Sequence, residues 1–160
     1  MNVNQQRDIG AYIASQVAVT PRVLDAGTTT EDGIEINGAD VSLSTSFTGT
    51  PRSCKVIIPY SFTGAAAATA TIITNCQGGA TTASYVDLTG STGTVTLGTT
   101  SSTAAQTVEG VLEVDVTLKG TADFVRVQMT GTLSGTSTGT DDLDVAAVMV
   151  FGGFDVLPAA

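Results

Sequence analysis

Three hydrophobic spacings run along this chain, and each predicts a different element. Between residues 108 and 119, Val108, Gly110, Leu112, Val114, Val116 and Leu118 alternate with Glu109, Val111, Glu113, Asp115, Thr117 and Lys119. A period of two puts one set on a core and the other in water, as in an antiparallel strand with one dry face. In the stretch 1–20, "MNVNQQRDIGAYIASQVAVT", Ile9, Tyr12, Ile13 and Val17 fall at helical spacing and Pro21 closes the run. Two or three turns are marginal alone, and Gly10 and the β-branched residues weaken them further. Residues 1–21 are therefore expected as an N-terminal arm or short helix that orders on a partner, with the β domain at 22–160. The third spacing, "LDVAAVMVFGGF" at 143–154, is apolar on both faces. It predicts a strand that is central in its sheet or covered by another subunit.

Period two also marks "VSLSTSF", with Val41, Leu43 and Phe47 inward, and "SCKVIIPYSFTG", with Cys54, Val56, Ile58, Tyr60 and Phe62 on one face. Pro59 has no N–H for a ladder, so that second run is expected to be an edge strand or bulged. "AAAATATIITNCQGG" follows a turn near Gly64 and is expected to pair with it as a hairpin. "SYVDLTG" and "GTVTLGTT" are shorter strands, and "FVRVQMTGTLSG" is expected to form a hairpin with the acidic strand before it. About eight strands, with turn signals every 8–12 residues or so, read as one all-β domain. The expected fold is a jelly-roll-like antiparallel β-sandwich with an N-terminal arm.

Composition narrows the function. Of 160 residues, 42% are hydrophobic, enough for a core, and the net charge is −9 with only six Lys and Arg. A phosphate-binding surface needs clustered cations, so nucleic acid is not an expected partner. No secretory leader is expected in residues 1–20, and the apolar run at 145–154 falls well short of the ~20 residues that span a bilayer. Cys54 and Cys76, in phase with Val56, Ile58 and Ile72, are expected as reduced, buried small hydrophobes, a disulfide between their strands being the alternative.

Candidate chemistry is sparse. Without histidine there is no Ser–His or Cys–His nucleophile system. Glu109, Glu113 and Asp115 share a strand face with neighbours about 7 Å apart, a spacing open to an acid pair. No tryptophan platform accompanies them, and a solvated strand face explains them. Asp141, Asp142 and Asp144 in "TGTDDLD" lack a full calcium-loop pattern and read as a turn capped by aspartates. Glu31, Asp32, Glu35 and Asp40 in "EDGIEINGAD" read the same way. The glycine-containing stretches precede no helix and have no lysine placed for a phosphate. The expectation is no enzyme, no cofactor and no metal.

Taken in order, the arm, "RVLDAGTTTEDGIEING", "SCKVIIPYSFTGAAAATATIITNCQ", "VEGVLEVDVTLKGTADFVRVQMTGTLSG" and the ending "DVAAVMVFGGFDVLPA" resemble the small capsid decoration, or cement, proteins of tailed bacteriophages. The resemblance spans most of the chain and rests on structural patterns, not on catalytic signatures. It implies a jelly roll bound to the outer capsid surface, synthesised in the host cytoplasm, with the major capsid protein as partner. It also implies self-association, as a homotrimer at three-fold or quasi-three-fold positions. The arm is the one part whose contact role carries over, onto Arg7, Ile9, Tyr12, Ile13 and Val17. The alternative is a glycan-binding or adhesive β-sandwich, or another phage structural component of tail or fibre.

Overall fold

Wherever β-branched and small residues alternate between dry and wet positions, the chain is extended. The structure, a computed structural model, describes residues 13–26, 32–64, 68–98, 104–118, 123–134 and 141–155. Among them are ten strands: β1 (Ile13–Asp25), β2 (Glu35–Asn37), β3 (Val41–Ser42), β4 (Ser53–Gly64), β5 (Thr69–Thr81), β6 (Ser84–Asp87), β7 (Gly93–Gly98), β8 (Gln106–Thr117), β9 (Phe124–Leu133) and β10 (Asp142–Gly152). They form two antiparallel sheets. Sheet A runs β1-β10-β4-β8, and in sheet B β9 lies between β5 and the short β2 and β3, with β6 and β7 on the far side of β5. This is the all-β sandwich expected, and a jelly roll is compatible with it.

Four expectations change. Residues 13–21 are neither arm nor helix but the first part of β1, paired with β10 from Ile13↔Gly152. Ile13 and Val17 are four apart, a spacing that satisfies period two as well as 3.6, and the β-branched Val17, Val19 and Thr20 favour the strand. Second, β4 is not an edge: it lies between β10 and β8. The β10 ladder skips residues 58 and 59 without changing register, so Pro59 costs rungs but makes no bulge. Third and fourth, neither expected hairpin forms. β4 and β5 lie in different sheets, as do β8 and β9. Both members of each pair have an apolar inward face, which serves as well across a core as beside a hydrogen-bonded neighbour.

The core fills the space between the sheets. Leu24, Val56, Ile58, Phe62, Ile72, Val125, Val127, Met129, Leu143, Met149 and Phe151 are buried almost completely. Each contributes about 1.5–3 kcal/mol relative to exposure. Phe47 joins two more rings at one end, with centroids 4.7 Å from Phe151 and 5.5 Å from Phe154. The packing leaves no slack at Gly131, where a Cβ would collide with Leu24 Cδ1 and meet Leu143 Cδ2 at 3.2 Å. β10, apolar on both faces, is central as its sequence requires.

Candidate interaction surface

The outer face of sheet A should be polar if it only met water, because alternation would place its apolar residues inside. Polar residues do line part of it, Glu109, Glu113 and Asp115 on β8 and Ser61, Thr63, Asp142 and Asp144 at one end of β4 and β10, but an apolar band crosses its middle. Val17, Val148 and Ile57 stand in register across β1, β10 and β4, with Val150 beside them and Pro59 opposite Val111. Val17 is 58% exposed, Val111 54%, Val23 50% and Ile13 44%. The other exposed large hydrophobics among the described residues, Ile34, Ile73 and Val86, lie elsewhere. Val148, Val150 and Ile57 are half-buried. Contiguous apolar surface of this kind marks contact sites on proteins.

An acidic border flanks the band. Glu109, Glu113 and Asp115 project from β8 on the same face, all exposed. Lys55 Nζ lies 3.0 Å from Glu113 Oε2 and 3.1 Å from Asp115 Oδ1, so one cation is shared by two carboxylates. Those hydrogen bonds, to Glu113 first and then Asp115, push the Lys55 ammonium above its usual range. The carboxylates thus hold a lysine rather than each other. Between Pro21, Arg22, Pro59, Tyr60, Asp144 and Ala146 the face is dented by an open groove of about 270 Å³.

Of the residues assigned to partner binding from sequence, Ile13 and Val17 lie on this face; Arg7, Ile9 and Tyr12 lie outside the described residues. The band itself escaped sequence reading, because β-branched residues on a wet face are ordinary one strand at a time. The doubly apolar β10 was its signal.

Sheet B presents a contrasting outer face. Tyr85 donates its hydroxyl to Asp40 Oδ1 at 2.6 Å, and the Arg126 guanidinium sits 4.1 Å from the Tyr85 ring centroid. Arg126 Nε donates to Gln77 Oε1 at 2.9 Å, and Gln77 Nε2 donates to Asp87 Oδ1 at 2.8 Å. Partial burial, then the bond to Asp40, push the Tyr85 phenol up to about 12. The guanidinium occupies one face of the ring that a sugar would stack on.

Two acidic residues of the 31–40 stretch bond within the fold. Asp32 accepts the Leu133 N–H at 2.8 Å, and Glu35 accepts from Asn37 at 2.9 Å; Glu31 lies outside the described residues. Asp142 and Asp144 lie among the first residues of β10, Asp142 opposite Asp25 of β1, and the backbone carbonyl of buried Asp141 just before them accepts the Ala26 N–H at 3.0 Å; the turn they were expected to cap lies outside the described residues. Burial and then the Asp25 carboxylate push Asp142 above its usual range. Among the described residues, no three His, Cys, Asp or Glu side chains converge as metal ligands. Cys54 and Cys76 are buried and free, on opposite sheets; a hydrogen bond with Cys76 and then burial push the Cys54 thiol up, so it stays protonated.

No family model and no curated protein matches this chain. Among solved structures, one of infectious bursal disease virus, Gx strain, aligns with a TM-score of 0.51 at 10% identity over 91% of this chain and 33% of the viral one. The Gt strain of that virus gives 0.48 at 8% identity, over 89% and 33%. A carbohydrate-binding module, TmCBM61 in complex with β-1,4-galactotriose, gives 0.35 at 12% identity, over 91% and 93%. The chain spans about a third of the length of the viral chains, and its likeness to the first is one of fold.

Proposed function

We propose that this chain is a structural virion protein, without catalytic activity, that binds the outer surface of a tailed-phage capsid and stabilises the shell. Its partners are then the major capsid protein and copies of itself, as a trimer at three-fold or quasi-three-fold positions. The observation that carries this reading is the apolar outer face of sheet A, exposed at Ile13, Val17, Val23 and Val111 on a chain of net charge −9. A protein that binds the assembled shell and not its free subunits stabilises that shell by mass action. A stable contact needs on the order of 1,000 Å² in total, within reach of one sandwich face and multiplied by trimeric attachment. The acidic exterior suits a position away from packaged DNA.

The test mixes purified chain with expanded, undecorated heads of its phage and, separately, with unassembled coat protein. Sedimentation with the heads alone, and release by Val17→Asp, is the expected result. A chain left in the supernatant at micromolar concentration overturns the proposal.

A further inference from the structure

Sheet A ends in two strands, β1 and β8, and among the described residues β8 is the edge with a long unbroken ladder behind it. β8 pairs with β4 through twelve consecutive residues, Ser53↔Thr117 to Gly64↔Gln106, with no register shift. Leu118 donates to the Arg52 carbonyl at 2.9 Å, so by the alternation of an antiparallel ladder the even-numbered residues face β4. Thr107, Glu109, Val111, Glu113, Asp115 and Thr117 then turn their N–H and C=O groups outward. Among the described residues no strand pairs with that side. β7 packs beneath it, Gly93 lying against Val114 and Leu112, without joining the ladder. Leu112 and Val108 point towards the core but are only half-buried, as they would be with a neighbouring strand missing.

The charge on this edge selects its occupant. A second copy pairing through β8 brings Glu109, Glu113 and Asp115 beside the same carboxylates of its twin, with one Lys55 on each copy to offset them, and like charges across a ladder oppose pairing. An extended segment with Lys or Arg on alternate residues meets those carboxylates on the outer face, while its intervening apolar residues cover Val108 and Leu112. The structure assigns the open edge of β8 as a docking strand for such a basic, alternating segment of another protein, which joins sheet A as a fifth strand. This deepens the capsid reading and rests on it only in taking the partner to be a protein of the same assembly. The same carboxylates bar self-addition and admit the partner.

A synthetic nine-residue peptide of alternating Lys and Val serves as probe, with isotope-labelled full-length chain observed by NMR. Binding should slow amide exchange at the six outward residues by about tenfold or more at saturating peptide. N-methylation of the peptide's edge-facing amides, or Glu in place of each Lys, should each weaken binding by about tenfold or more. Val111→Pro removes an outward donor where an edge tolerates proline, and should abolish the protection while leaving the melting temperature close to wild type. Should that variant unfold, the N-methylated peptide alone decides between backbone pairing and charge. Equal binding of the N-methylated peptide, protection elsewhere, or no binding at about 1 mM overturns the assignment. A chain that sediments with heads but ignores the peptide loses only the edge; one that takes the peptide but not the heads loses only the capsid.

Discussion

β1 and β8 close the same sheet on opposite sides, and they are finished differently. β1 is broken by register shifts between Val17 and Val19 and between Val19 and Arg22, and contains Pro21. Its free side is stitched to sheet B: Ala39 donates to the Ala18 carbonyl and neighbouring Gly38 to Val127, each at 2.7 Å. Bulges, proline and a covering loop are how sheets protect an edge. Among the described residues β8 has no bulge, proline or covering loop, and carries acidic side chains instead. One edge is interrupted and tied to the facing sheet; the other opposes its own kind by charge. A strand that matters only to the fold has no need of that second arrangement.

The sharpest way to break this contrast is to truncate an inward leucine on each side. Leu24→Ala in β1 should cost about 3 kcal/mol, because Leu24 is fully buried, and Leu112→Ala in half-buried β8 about half as much, measured by urea unfolding. Next in size is the stitch. A Cβ at residue 38 would lie 2.6 Å from Ala18 O and 2.9 Å from Val127 O, both backbone, so Gly38→Ala should cost about 2 kcal/mol.

Smaller, and of opposite sign, is Asp142→Asn. Asp142 faces Asp25 where β1 meets β10, and its carboxyl is pushed above the usual 3.8. A carboxyl with a raised folded value stabilises the fold while protonated. That contribution is complete below 3.8 and is lost as pH rises through the folded value. Asp142→Asn should therefore gain about 0.5 kcal/mol at pH 7, after allowing for solvent screening, and almost nothing near pH 3 by the same denaturation measurement. The smallest effect on stability belongs to Lys55→Gln, whose exposed ion pairs should leave the melting temperature unchanged. It should nonetheless tighten the Lys-Val peptide, since both carboxylates it held are then free for the incoming chain.

What the sequence disclosed followed from how far each signal reaches. The facing of every residue from Val108 to Leu118 was legible, because alternation is local and a one-residue slip would bury Glu113. The central place of β10 was legible from its two apolar faces. Which strands pair was not: after Gly64 and again after Leu118 the chain passes from one sheet to the other, and alternation is silent on that choice. Pro59 misled for a related reason, since a missing donor can be absorbed by skipping rungs in a well-packed central strand. Tyr85, Asp40 and Arg126 come from strands and loops far apart in the chain, so no motif announces them. For the candidate interface, Ile13 and Val17 were picked out for a helical spacing they do not use, yet they stand on the exposed apolar face of sheet A.

The position of β10 also sets a timetable. β1 is the first described strand to leave the ribosome and β10 the last, yet they are neighbours. Every described rung of sheet B is in place once residue 134 has been made, although its inner face still awaits sheet A. Sheet A lags behind: until residues 142–152 emerge, β1 has no partner and β4 holds only one. A chain halted before residue 142 therefore leaves β1 without its ladder and β4 open on one side.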